Sequence, residues 1–260
     1  MKWPKYLCLV RHDVSEYNIL KDKKNQDEIY QEFLHEYNTD STTDKCVELA
    51  KLMAKKFALG VSDHDTMLQD IEAKRSEEVG IKLREMYKDE LPDVVFVSPY
   101  KRTKNTLEGL IKGWPELKDI KIYEDERLRE QEHGLASLYN DWKVFFTIYP
   151  DQRRLHDQDD IYWYRYPQGE NVPDVRDRNR SWLNTMVRDF ADKKVLVVTH
   201  HLNILAMRAN LERWTAAKFI EVDKDDKPIN CGVTMYRGNP EKGKDGHLEL
   251  EYYNKKYYLK

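Results

Sequence analysis

Tyr6-Leu7-Cys8-Leu9-Val10-Arg11-His12 is the stretch that decides the fold. Five apolar residues in an unbroken run predict a strand covered on both faces, since a half-exposed strand would alternate. Arg11-His12 follows at once, so the strand delivers a cation and an imidazole to its carboxyl edge, where open α/β sheets gather their chemistry. A second run of the same kind, Val195-Leu196-Val197-Val198, leads into Thr199-His200-His201. Two buried strands that each end in histidine predict one sheet and one site on its edge.

Outward from these strands the chain alternates between helical and extended patterns. A polar, helical region runs from about Ser15 to Tyr87 and is interrupted near Asn38–Thr43 and Gly60–Asp65, which predicts three helices. Asp93 to Val97 reads as a strand ending at Ser98-Pro99, Lys101 to Trp114 as a helix stopped by Pro115, and Ile120 to Tyr123 as a third strand. Leu138 to Tyr166 is dense in aromatics and charge and reads as an inserted, partly helical cap. A helix over Val172–Phe190, another from about Asn203 to Glu212, and strands at Val233–Arg237 and His247–Tyr252 complete the pattern. The fold expected is α/β, a three-layer α/β/α sandwich with a mainly parallel sheet. It forms one domain over 1–260, with insertions at about 38–65 and 138–164.

Bulk properties narrow the classes. A chain of 260 residues buries a substantial single core. Its formal net charge of -3, with 35% charged residues and no basic block, gives no case for nucleic acid as a partner. No apolar run approaches the roughly 20 residues of a membrane span, and the N-terminal run is too short for a signal peptide. The three cysteines, Cys8, Cys46 and Cys231, cannot all pair and are expected as free thiols in a reducing compartment. These points predict a cytoplasmic protein without a membrane partner. Nothing in the sequence specifies its oligomeric state.

Five motifs in order then narrow the class further. Arg11-His12 is followed by Ser15 and Asn18; Ser98-Pro99 by Arg102-Thr103; Leu128-Arg129-Glu130 precedes Gly134; Pro167-Gln168-Gly169-Glu170 is followed by Asp174 and Arg178; and Thr199-His200 closes the second strand. In this order the chain resembles the histidine phosphatase superfamily, also called phosphoglycerate mutase-like, from the first strand to about Arg237. Leu128 to Gln131 and Tyr164 to Glu170 are similar to its plant and fungal phosphatase branch.

The residue types fit that chemistry. An imidazole is a nucleophile at neutral pH without help from a metal, which assigns phosphoryl capture to His12. Arg11 and Arg102 offer forked hydrogen bonds to phosphoryl oxygens. The resemblance adds a protonated His200 and a supporting contact from Asn18 for phosphate; the leaving alkoxide needs a proton, which a carboxylic acid at Glu130 can donate before acting as base on water. The substrate expected is a small phosphorylated molecule, and neither metal nor organic cofactor is implied. Taken singly, each residue has a plain structural reading: Arg102 as a solvated helix residue, Glu130 as part of a charged loop, His200 as a core histidine. Their joint order favours the functional one.

Two positions depart from the family. Asp13 stands after the first histidine, where Gly or Ala is usual, and His201 after the second, where Gly is usual. Neighbouring strands would let Asp13 and His201 pair and so tune His200. Two alternatives to a phosphomonoesterase follow: a cofactor-dependent phosphoglycerate mutase, and a phospholigand-binding module whose turnover Asp13 has suppressed by repelling anions.

Overall fold

The quoted stretch forms β1 (Tyr6–Arg11), every residue of it buried except Arg11. It is followed by α1 (Glu16–Asn25), α2 (Glu28–Asp40), α3 (Asp44–Lys56), α4 (Lys74–Tyr87), β2 (Val94–Val97), α5 (Lys101–Gly113), β3 (Ile122–Glu124), α6 (Trp142–Ile148) and α7 (Pro150–Trp163). The chain continues through α8 (Val172–Asp189), β4 (Lys194–Thr199), α9 (His201–Leu211), α10 (Ala216–Asp225), β5 (Val233–Asn239) and β6 (His247–Lys255). The computed structural model describes residues 2–69 and 74–259.

The strands form one sheet in the order β3-β2-β4-β1-β5-β6. β1 to β4 run parallel, whereas β5 and β6 are antiparallel additions at one edge. Alternation along each strand divides the core into two layers. Tyr6, Cys8, Val10, Leu196 and Val198 face α4 and α5 through Val79, Leu83, Leu107 and Leu110. Leu7, Leu9, Val195 and Val197 face α8 and α9 through Trp182, Met186, Ile204 and Met207. The unbroken apolar runs Tyr6–Val10 and Val195–Val198 are thus required by helices on both faces. This is the three-layer α/β/α arrangement expected.

One pairing places the chemistry. In the parallel register of β1 and β4, Arg11 lies opposite Thr199, so His12 and His200 emerge side by side beyond the sheet edge. The His12 backbone N–H donates to Thr199 O at 2.9 Å and fixes that alignment.

The region from Ser15 to Tyr87 holds four α-helices rather than the three expected. Asp27 makes the difference: its side chain caps the Tyr30 N–H at 3.0 Å and starts α2 directly after α1. A helix missing from the expectation, α10, begins at the Thr215 cap. The aromatic segment after Leu138 is largely helical, as α6 and α7. It packs with α2 and α3 through Tyr30, Phe33, Ala50, Met53 and Val144. The Lys24 ammonium and the Tyr30 hydroxyl meet Asp141 at 2.7 and 2.6 Å, and Asp141 caps α6. That buried junction ties α1 and α2 to the segment that leads into α6. Cys8, Cys46 and Cys231 are free and buried. Among the described residues no helix is long and apolar enough to cross a membrane.

Candidate active site

A cavity of about 740 Å³ opens at the carboxyl edge of β1 and β4, with Arg11, His12, Asn18, Arg102 and Glu130 in its lining. The His12 ring is buried, and its Nδ1 lies 2.6 Å from the Asp13 carbonyl oxygen. A carbonyl only accepts, so Nδ1 carries the proton and the Nε2 lone pair is left bare. Burial holds His12 well below the usual imidazole range, and Arg102 and Arg11 add to that shift. A neutral ring with an unprotonated Nε2 is the state a nucleophile needs.

His200 sits 5.2 Å from His12, ring centre to ring centre. Its Nε2 lies 2.8 Å from Ser98 Oγ, and its Nδ1 is buried without a partner. A buried polar atom left without a hydrogen bond is costly, and here it belongs to the ring beside His12. The sequence reading expected a protonated His200. Burial, then Arg102 and His12, hold its ring well below the ordinary imidazole range.

Arg102 is buried in the first turn of α5, directly after the Ser98-Pro99 strand end, and lies over the Tyr100 ring at 4.7 Å. Its Nη1 donates to Asp63 O at 2.6 Å and Asp63 Oδ1 at 2.9 Å, and its Nη2 to Oδ2 at 3.3 Å. That fork of donors is the one a phosphoryl group would engage. Arg11 donates from Nη1 to Pro228 O at 2.6 Å, while its Nε is buried without a partner. Asn18 lines the cavity, and its Oδ1 accepts from Ser15 N at 3.0 Å and from Asn230 Nδ2 at 3.2 Å.

Glu130 accepts from the Leu202 N–H at 3.1 Å, at the N-terminus of α9, and from Gln131 N at 3.1 Å. The loop carrying it is clamped from below. Arg178 donates to the carbonyls of Arg127, Arg129 and Glu130 at 2.7, 2.8 and 2.9 Å, and also pairs with Glu170 at 2.9 Å. Thr199 Oγ1 and Asn203 Nδ2 bond the same loop through Leu128 O and Arg127 O. Gly134 has φ +48°, and a Cβ there would overlap the Pro167 carbonyl. Only glycine fits where the two motif loops touch.

The expected pairing of Asp13 with His201 does not form. Asp13 is fully buried, with Oδ1 accepting from Val14 N at 2.7 Å and Oδ2 from Ser76 N at 3.3 Å, on the α4 side of the sheet. His201 Nε2 instead lies 2.7 Å from Asp223 Oδ1 on α10, a helix the sequence reading had not placed. The Asp13 carboxylate is thus held by backbone donors and is not among the residues that line the cavity.

Four contributors went unrecognised in the sequence. Ser98 orients His200, and Asp63 occupies Arg102. Asn230 Nδ2 donates to His12 O and Asp13 O at 3.0 and 3.1 Å. Cys231, in the left-handed region at φ 56°, donates its N–H to Arg11 O at 3.1 Å. Ser98 stood inside a quoted motif, but the other three lie in stretches with no pattern of their own. Among the described residues no three His, Cys, Asp or Glu side chains converge as metal ligands.

Comparison with known proteins identifies the family. The model of the histidine phosphatase superfamily, branch 1, aligns with residues 61–244. The chain belongs to that superfamily. Arg11 and His12 precede the aligned span, and it is the register of β1 on β4 that brings them to it. As a histidine phosphatase superfamily member the chain is 29% identical to the phosphoglycerate mutase-like protein AT74H of Arabidopsis thaliana over 134 residues, 48% of this chain and 45% of that protein. The chain therefore spans about half the length of that plant relative. It is 23% identical to the broad-range acid phosphatase DET1 of Saccharomyces cerevisiae, over 83% of this chain and 81% of that one. The fold is shared with a mycobacterial glucosyl-3-phosphoglycerate phosphatase in complex with inorganic phosphate, at a TM-score of 0.63 and 17% identity, covering 98% of this chain and all of that one (100%).

Proposed function

We propose that the protein is a metal-independent phosphomonoesterase that works through a phosphohistidine on His12. The observation that carries this reading is the bare Nε2 of a buried, neutral His12, flanked by Arg11, Arg102 and the partnerless Nδ1 of His200. Relatives described as acid phosphatase and as phosphoglycerate mutase-like support the reaction class.

In the first step His12 Nε2 forms a bond to phosphorus as the P–O ester bond breaks, and Glu130 gives its proton to the departing oxygen. Arg11 and Arg102 hold the phosphoryl oxygens, with Arg102 released from Asp63 to do so. Ser98 accepts from the Tyr100 N–H at 3.5 Å and directs its own proton to His200 Nε2, which places the ring proton on Nδ1 for a further phosphoryl oxygen. In the second step Glu130 takes a proton from water, the water oxygen bonds to phosphorus, and the P–N bond breaks. Phosphate leaves and His12 returns to its starting state.

The test is hydrolysis of an aryl phosphate with EDTA present, in wild type and His12→Ala. Turnover that survives chelation and is lost in the variant supports the reading. Turnover unchanged in His12→Ala overturns it, and dependence on added bisphosphoglycerate would favour the mutase alternative.

A further inference from the structure

We infer that the substrate is a phosphate monoester of an uncharged, apolar alcohol. This rests on the phosphomonoesterase reading and names what the rest of the cavity accepts. If the phosphoryl group sits against His12 and the two arginines, the bond that breaks points away from His12, and the alcohol part must fill the space above. That space is large. A volume of about 740 Å³ is within the range that encloses a drug-sized ligand and far exceeds what a three-carbon phosphoester needs.

The upper wall is rich in large apolar side chains, with Ser62, Ser137 and Asn140 between them. Tyr17, Val61, Leu138 and Trp142 all line the cavity and are 46%, 50%, 66% and 52% exposed. They come from three separate segments: the start of α1, the loop after α3, and the stretch that leads into α6. A large apolar side chain left in water is ordinary when isolated, but four converging on one cavity mouth mark a surface that expects an apolar occupant. Tyr166, edge-on to His133 at 4.8 Å, continues the wall downward.

Charge points the same way. Among the described lining residues the lysines and arginines are Arg11 and Arg102, both at the floor, while Asp63 and Glu130 are acidic. A second phosphate or a carboxylate on the substrate would lose its water beside Asp63, with no lysine or arginine among the described residues of the upper wall to receive it. Phosphoglycerates and bisphosphorylated sugars are therefore selected against by repulsion as well as by missing contacts.

A series of n-alkyl monophosphates tests this, because the leaving-group chemistry is nearly constant from ethyl to octyl while apolar length grows. Phosphate release by the full chain should give kcat/KM at least about tenfold higher for octyl than for butyl phosphate, a modest share of what roughly 0.8 kcal/mol per buried methylene allows. It should also put 3-phosphoglycerate below both. Leu138→Ser and Trp142→Ala should each flatten the rise with chain length. Asp63→Asn should narrow the gap between octyl phosphate and 3-phosphoglycerate. Turnover independent of chain length, or 3-phosphoglycerate preferred to octyl phosphate, overturns the inference and leaves the hydrolase reading standing. No release from any ester overturns both.

Discussion

The floor and the mouth of the cavity are built in opposite ways. At the floor, position is set by backbone: the His12 N–H on Thr199, its carbonyl under Asn230, its Nδ1 on Asp13 O, and the Glu130 loop on Arg178. Among the described residues, Arg11 Nε and His200 Nδ1 are buried there without a partner. At the mouth, Leu138 and Trp142 stand half or more in solvent, and Trp142 rests edge-on against the rings of Tyr37 and Phe146. The contrast separates two tasks. Phosphoryl transfer needs donors held where charge develops, so it is built on strand ends. Selecting an alcohol needs only a surface of the right polarity, which loops supply.

That division is open to attack from both sides. The largest effect beyond the nucleophile itself is expected at Arg102. Arg102→Lys keeps the charge but loses the fork, and kcat should fall by about 100-fold on every ester alike, measured by steady-state phosphate release. A loss confined to long-chain esters would mean that the floor also selects the alcohol.

Smaller effects are expected from pH. His12 and His200 both have folded-state values below their ordinary one, so the unfolded chain binds protons first as the solution is acidified. Stability from these two rings is fully present above about pH 6.5 and is lost as pH falls from there toward their folded values. Urea unfolding between pH 7.5 and 5 should show this loss. His12→Gln should reduce the slope, and an unchanged slope would show that these rings are not what the acid acts on.

The smallest effect should lie at the mouth. Leu138→Ser should leave unfolding free energy within about 0.5 kcal/mol of wild type, since the side chain is already 66% exposed. A larger cost would mean that the mouth is structural after all.

The same division explains what the sequence disclosed. The β1 and β4 runs, the Ser98-Pro99 strand end and the Gly134 and Gly169 loops were legible because burial and close approach restrict which residues fit. His12, Arg102 and Glu130 were found through their spacing from those elements. Asp63, Asn230 and Cys231 were not, because a loop residue that reaches a site across many intervening positions leaves no periodicity behind. The Asp13–His201 pair failed for a related reason. Strand neighbours were inferred correctly, but which way a side chain turns beyond a strand end depends on competing partners, here Val14 and Ser76 for one and Asp223 for the other.

The central claim is that His12 carries the phosphoryl group between two half-reactions. Rapid quenching into base during turnover of a radiolabelled monoester, followed by peptide mapping, tests it directly. The account predicts an acid-labile, base-stable label on the peptide containing His12, lost on chase with unlabelled ester and never formed in His12→Ala. Sustained hydrolysis with no covalent label at any quench time, or a label that persists in His12→Ala, would contradict it.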